Sequence, residues 1–210
     1  MKDPQFAKLV VFVNSLVPLA LLFLDAKNDR LGPNPIEYAI RETGTLALIF
    51  LFLTLTITPV RKLTGWNWLS HFRREIGLFA FFYGLVHFSI YFGFYQSFNV
   101  KKVIADTIAR RFILAGMGAM TILTPLALTS TNSIIKRMGA ARWKKLHSYI
   151  YYAAGLGVLH YYLLVKADET KPEIYAAVLA VLLGYRLVVH LLRKKPAASM
   201  VIKTLNASNN

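Results

Sequence analysis

Residues 75–95 read EIGLFAFFYGLVHFSIYFGFY, a run in which no charged side chain follows Glu75 and one histidine, His87, stands past the middle. A helix that crosses the roughly 30 Å hydrocarbon core of a bilayer needs about 20 such residues. This stretch therefore has lipid as its solvent. Similar runs lie near Lys8–Leu24, Gly44–Val60, Phe112–Thr129, Leu146–Val165 and Ile174–Leu192. Together they predict an all-α integral membrane bundle of about six transmembrane helices, since helices satisfy their own backbone in lipid. The 210 residues are 56% hydrophobic, and only short basic or mixed loops separate the runs, so no polar faces remain to cover a water-soluble globule.

Lys2 and Lys8 precede the first run as they would in a signal peptide, but no small-residue cleavage site follows Leu24. The run reads as helix one. The longest connection is Asp25–Thr43, and no internal repeat is evident. Ala197–Asn210 reads as a disordered polar tail on a single membrane domain covering 1–210.

A net charge of +15 in a soluble protein would suggest nucleic acid, yet here the basic residues flank the apolar runs. Counted by alternate loops, fifteen Lys and Arg fall on the side of Arg61, Arg73, Arg74 and the 136–145 cluster. Nine fall on the side of Lys101, Lys102, Arg110 and Arg111, and Arg186 lies inside the last run. The positive-inside rule places both termini in the cytoplasm. Trp66, Trp68 and Trp143 then sit at the inner interface, where amphipathic rings concentrate.

The chain has no cysteine, which excludes disulfides, thiolate-bound zinc, iron–sulfur clusters and a cysteine nucleophile. Any bound metal falls to histidine. Ionisable residues within a membrane segment are costly and so are candidates for function. His71, in an inner loop, and His190, near the inner end of the last run, can reach headgroups and read as interfacial.

His87 lies twelve residues beyond Glu75 and His160 fourteen beyond Leu146. At 1.5 Å per residue these are depths of roughly 18 and 21 Å on helices that both run outward. Two imidazoles at matching depth suit the axial positions of haem iron in a bundle interior. The competing reading is that both merely hydrogen-bond other helices. Gly84 and Gly157, each three residues before a histidine, would clear room for a flat macrocycle, or simply let helices pack closely. His147 precedes His160 by thirteen residues, about 140° away around an ideal helix. It reads either as a ligand for a second haem, flavin or quinone headgroup, with Gly155 and Gly157 distorting the helix, or as an interfacial histidine.

No G-x-G-x-x-G or phosphate loop occurs, so no nucleotide fold is encoded. Thr129 and Ser130 read as caps of helix four, with a propionate or headgroup contact as the alternative. Lys136, Arg137, Arg142, Lys144 and Lys145 read as a topology signal, or as partners for a flavin phosphate or haem propionates.

Several segments carry a resemblance across nearly the whole chain: Ile57-Thr58-Pro59-Val60-Arg61; Arg73 through Ala80 with Tyr83 and His87; and Leu126 through Ser130, Arg137-Met138-Gly139, Trp143, Leu146 and His147, with His160 beyond. They resemble the MsrQ family, haem-binding membrane subunits of bacterial periplasmic methionine sulfoxide reductase systems. That family is a branch of the ferric reductase-like transmembrane proteins. The resemblance implies haem b held by His87 and His160 as iron ligands, FMN as a further carrier, and membrane quinol as donor. It also implies an inner-membrane location and a periplasmic molybdopterin partner, MsrP, which repairs oxidised methionine.

Oxidase relatives hold two stacked haems by two histidines on each of helices three and five. Here Arg73 stands fourteen positions before His87, so His147 lacks that partner and remains a possible ligand only. Those relatives also continue into a flavin- and NADPH-binding domain, whereas this sequence ends at Asn210, so the expected donor is quinol or a separate flavin reductase. The expected role is an electron-transfer subunit with no substrate-converting site of its own. Alternatives are a stand-alone ferric or cupric reductase, and a transporter or scaffold, against which the shortage of intramembrane carboxylates counts.

Overall fold

The computed structural model describes residues 4–165 and 170–207, with side chains described for 5–165 and 170–192. It is all-helical among those residues. The order is α1 (Pro4–Lys27), α2 (Pro35–Thr64), α3 (Arg73–Ile90), α4 (Val100–Ala109), α5 (Arg111–Leu128), α6 (Asn132–Met138), α7 (Ala140–His147), α8 (Ile150–Leu164) and α9 (Thr170–Ala207). A wider π-type turn, Tyr91–Tyr95, prolongs α3.

Among the described residues, five helical stretches are long and apolar enough to cross a membrane: Gln5–Lys27, Pro35–Thr64, Arg73–Tyr95, Arg111–Leu128 and Thr170–Leu192. Large apolar side chains such as Phe6, Leu9, Phe23, Leu114 and Val181 point outward, as lipid-facing residues do. The chain is a multi-pass membrane protein.

The expected span Leu146–Val165 is divided in the structure. α7 ends at His147, Ser148 and Tyr149 form a tightened turn, and α8 follows with 15 residues, about 22 Å of helix. Ser148 causes the break locally, because its hydroxyl donates back to the Lys145 carbonyl at 2.6 Å. Tyr151 and Tyr152 then take three-residue bonds to the carbonyls of Ser148 and Tyr149. The distortion expected at Gly155 and Gly157 lies here instead. Of the tail Ala197–Asn210, the backbone to Ala207 continues α9, and residues 208–210 lie outside the described ones. Good helix formers such as Ala, Met, Lys and Leu recur in that stretch, which lets the helix propagate.

α2 and α3 form one antiparallel pair, and α5 and α8 another. Ala80, Ala153 and Ala154 are fully buried, and such small residues let membrane helices approach closely. α2 starts with Pro35 in its first turn and stops at Gly65, whose φ of 76° lets its N–H return to the Arg61 carbonyl at 3.0 Å.

Prolines inside helices free carbonyls that other helices must satisfy. Pro59 has no N–H for the carbonyl of Leu55, four residues earlier and buried in the core. Arg186 of α9 fills the role, donating from Nη2 to that oxygen at 2.8 Å. The Tyr83 hydroxyl donates to the Ser15 carbonyl of α1 at 2.6 Å, next to the Asn14 carbonyl that Pro18, lacking an N–H, leaves without its helical partner. Arg186→Ala should therefore strand the Leu55 carbonyl, at a cost of about 1–3 kcal/mol. A lowered unfolding midpoint in detergent is expected, and adding Pro59→Ala, which restores an N–H, should recover part of it. No recovery in the double variant would refute this account.

Candidate functional site

The two helix pairs each deliver one histidine by the same device. On α3, the Nδ1–H of His87 donates to the carbonyl of Ile40 on α2 at 2.8 Å. On α8, the Nδ1–H of His160 donates to the carbonyl of Phe112 at the head of α5, at 2.6 Å. The two bonds span 47 and 48 residues of sequence. A glycine stands four residues after each accepting carbonyl, Gly44 and Gly116. A methyl group on Gly44 would lie 2.9 Å from His87 Nδ1, and one on Gly116 would lie 2.8 Å from His160 Nδ1. Each imidazole thus approaches a neighbouring backbone that only glycine leaves open.

The rings of His87 and His160 are 5.9 Å apart between centres and nearly perpendicular, at 84°. With both Nδ1 atoms committed to carbonyls, each Nε2 is the nitrogen free to bind a metal, and such carbonyl bonds are what fix the tautomer of metal-bound histidine. Metal–imidazole bonds of about 2 Å would place ring centres about 6 Å apart around one iron. The observed separation fits. Of the two readings of Gly84 and Gly157, their contacts support close packing: methyl groups there would meet Met120 Sδ at 3.0 Å and Leu48 Cδ1 at 3.4 Å.

His147 is not brought to the pair. It sits at the end of α7, with Nε2 3.1 Å from the Thr129 hydroxyl and its ring stacked 3.9 Å from that of Trp143. Trp143 Nε1 in turn donates to the Thr129 carbonyl at 3.0 Å. Thr129 and Ser130 also cap α5, donating to the carbonyls of Pro125 and Leu126. His71 Nδ1 bonds the Trp68 carbonyl at 2.9 Å in an exposed turn, and His190 is exposed on α9.

One turn beyond His87, sequence reasoning missed a polar knot. Asp106 Oδ2 accepts from the Tyr91 hydroxyl at 2.7 Å and from Gln96 Nε2 at 2.9 Å, while Oδ1 pairs with Arg110 at 2.7 Å. The knot joins the end of α3 to α4 and the start of α5, and so holds the two histidine-bearing pairs together at that end. The only signal was an aspartate four residues before an arginine, an ordinary helix pair.

The family described as ferric reductase-like transmembrane component matches residues 43–158, which include Gly44, His87, Gly116 and His147. Relatives named protein-methionine-sulfoxide reductase heme-binding subunit MsrQ are similar over most of the chain. The protein of Herminiimonas arsenicoxydans is 45% identical over 181 residues, 85% of this chain and 83% of its own. That of Ralstonia nicotianae is 42% identical over 88% of this chain and 86% of its own. That of Deinococcus radiodurans is 42% identical over 82% and 85%. The chain belongs to the ferric reductase-like transmembrane family, among its MsrQ members.

Proposed function

We propose that this chain is the haem b-containing electron conduit of a bacterial inner membrane, carrying electrons from quinol outward to the periplasmic molybdopterin reductase subunit MsrP, with both termini in the cytoplasm. The observation that carries the reading is the His87–His160 pair, each ring oriented by its own backbone carbonyl. The names of the relatives support haem, and the excess of basic residues on one side supports the orientation.

His87 and His160 would hold the haem iron through Nε2, with Ile40 and Phe112 retaining the Nδ1 protons and Gly44 and Gly116 letting the rings lie close to the helices. When bound, haem supplies one-electron ferric–ferrous chemistry. The surrounding apolar bundle keeps water away and so tunes the potential. FMN is a further carrier in this reading, and the exposed basic side chains of α6 and α7 are its phosphate partners; His147, beside them, is the remaining candidate ligand.

The partner docks on the outer face. Arg110 is held by Asp106, so Lys101 and Lys102 on α4 and Arg111, all exposed, are the steering charges. The test is reconstitution in liposomes with quinol as donor and MsrP as acceptor. Quinol should reduce the haem, MsrP should reoxidise it, and Lys101→Glu with Lys102→Glu should slow reoxidation several-fold at low salt but little at high salt. Rapid reoxidation by ferric or cupric chelates with no response to MsrP would favour the stand-alone reductase instead.

A further inference from the structure

A second polar pair lies inside the bundle, away from the histidines. The guanidinium of Arg186 sits 4.7 Å over the ring of Tyr151 and donates from Nη1 to its hydroxyl. Its bond to Leu55 is explained by Pro59, but two donors stay unused among the described residues. Tyr151 accepts and does not donate, and Arg186 Nε is buried without a partner.

Tyr151 also lines a groove of about 580 Å³, with Ile122, Tyr149, Tyr152, Gly155 and Leu156. That volume lies within the range of small-molecule sites. The groove is open on the lipid-facing side of α5 and α8, and almost wholly apolar. It begins about 14 Å from His160 along α8, at Tyr151, and Leu156 brings it within about one turn.

We propose that this groove binds the head ring of membrane quinol, with the Tyr151 hydroxyl, polarised by Arg186, donating to a ring oxygen. A ligand reaching the groove comes from lipid, must be largely apolar, and must offer an electronegative oxygen to an unused donor beside a positive charge. A quinol or quinone meets all three requirements. The inference rests on the quinol-driven reading above, and it assigns the place.

Gly155 is the position to fill, because nothing lies within 4 Å of a first side-chain carbon added there, and dithionite-reducible haem is the folding control for the variant. Gly155→Leu should fill the groove, and Tyr151→Phe should remove the donor while keeping the ring and the Arg186 bond to Leu55. A photoactivatable quinone analogue, applied to holoprotein in nanodiscs, should label the 149–156 segment and be displaced by excess quinol. Labelling should fall strongly in Gly155→Leu. Loss of one hydrogen bond should slow quinol-driven haem reduction up to about tenfold in Tyr151→Phe, with dithionite reduction unchanged.

Labelling elsewhere, or normal quinol kinetics in both variants, would overturn the site while leaving the quinol reading standing. A wild type that dithionite reduces and quinol does not would overturn both. Labelling that follows lipid headgroup composition and resists quinol would identify the occupant as phospholipid, and would also refute the proposal.

Discussion

Alanine at either His87 or His160 is expected to abolish the low-spin haem b spectrum of the purified protein, while His147→Ala leaves the haem-to-protein ratio unchanged. The contrast follows from what each imidazole already does. His87 and His160 give Nδ1 to a carbonyl and stand 5.9 Å apart between ring centres, whereas His147 engages Thr129 through Nε2 and lies on Trp143. Six-coordinate iron needs both axial nitrogens, so one deletion leaves a five-coordinate or haem-free protein. Absorption and paramagnetic resonance spectra, read beside a folding control, decide the matter. Wild-type haem content in both single variants would remove the pair as the ligand set. A lower ratio in His147→Ala would reveal a second haem.

The next largest effect is expected from residues that touch no metal. Gly44→Ala and Gly116→Ala each place a methyl group inside contact distance of an imidazole, at 2.9 and 2.8 Å from Nδ1. The obstacle on one side is backbone and on the other a ring held by its carbonyl bond, so relief comes only by moving the ring and lengthening that bond. Loss of such a supporting partner typically weakens metal affinity about 10–100-fold. Accelerated haem loss to an external acceptor should follow, together with a shifted midpoint potential.

Gly84→Ala is the matched control. Its methyl would meet Met120 Sδ at 3.0 Å, and a flexible thioether can give way, so haem retention should stay near wild type. Equal haem loss in all three variants would mean that these glycines serve packing alone.

Much of this was legible in one dimension. Runs of apolar residues without carboxylates can only be helices in lipid, and the scarcity of ionisable groups within them made His87 and His160 conspicuous. The two histidine rings do lie beside one another, 5.9 Å apart between centres, although the count from Leu146 to His160 crosses the break between α7 and α8. His147 was harder. A straight-helix count set it about 140° from His160 on one continuous span, whereas a serine bond to a carbonyl ends α7 and starts α8 afresh.

The glycines show why local context misleads. Gly84 and Gly157 are neighbours of the histidines in sequence, but a side chain on a helix leans away from its own backbone and presses against the next helix. The space a histidine needs is therefore set by its neighbour, here α2 for His87 and α5 for His160. The same logic hid Arg186, whose obligation to Leu55 arises from a proline on another helix.

The sequence by itself determined that this is a helical membrane protein, which residues were costly enough to mark a site, and to which family they belong. Only the tertiary structure decided that Ile40 and Phe112 aim the two imidazoles, that Gly44 and Gly116 admit them, and that Tyr151, bonded to Arg186, lines an open groove. The division has a physical basis. Transfer to lipid is paid residue by residue and is written in composition, whereas hydrogen bonds and close contacts between helices depend on which surfaces meet.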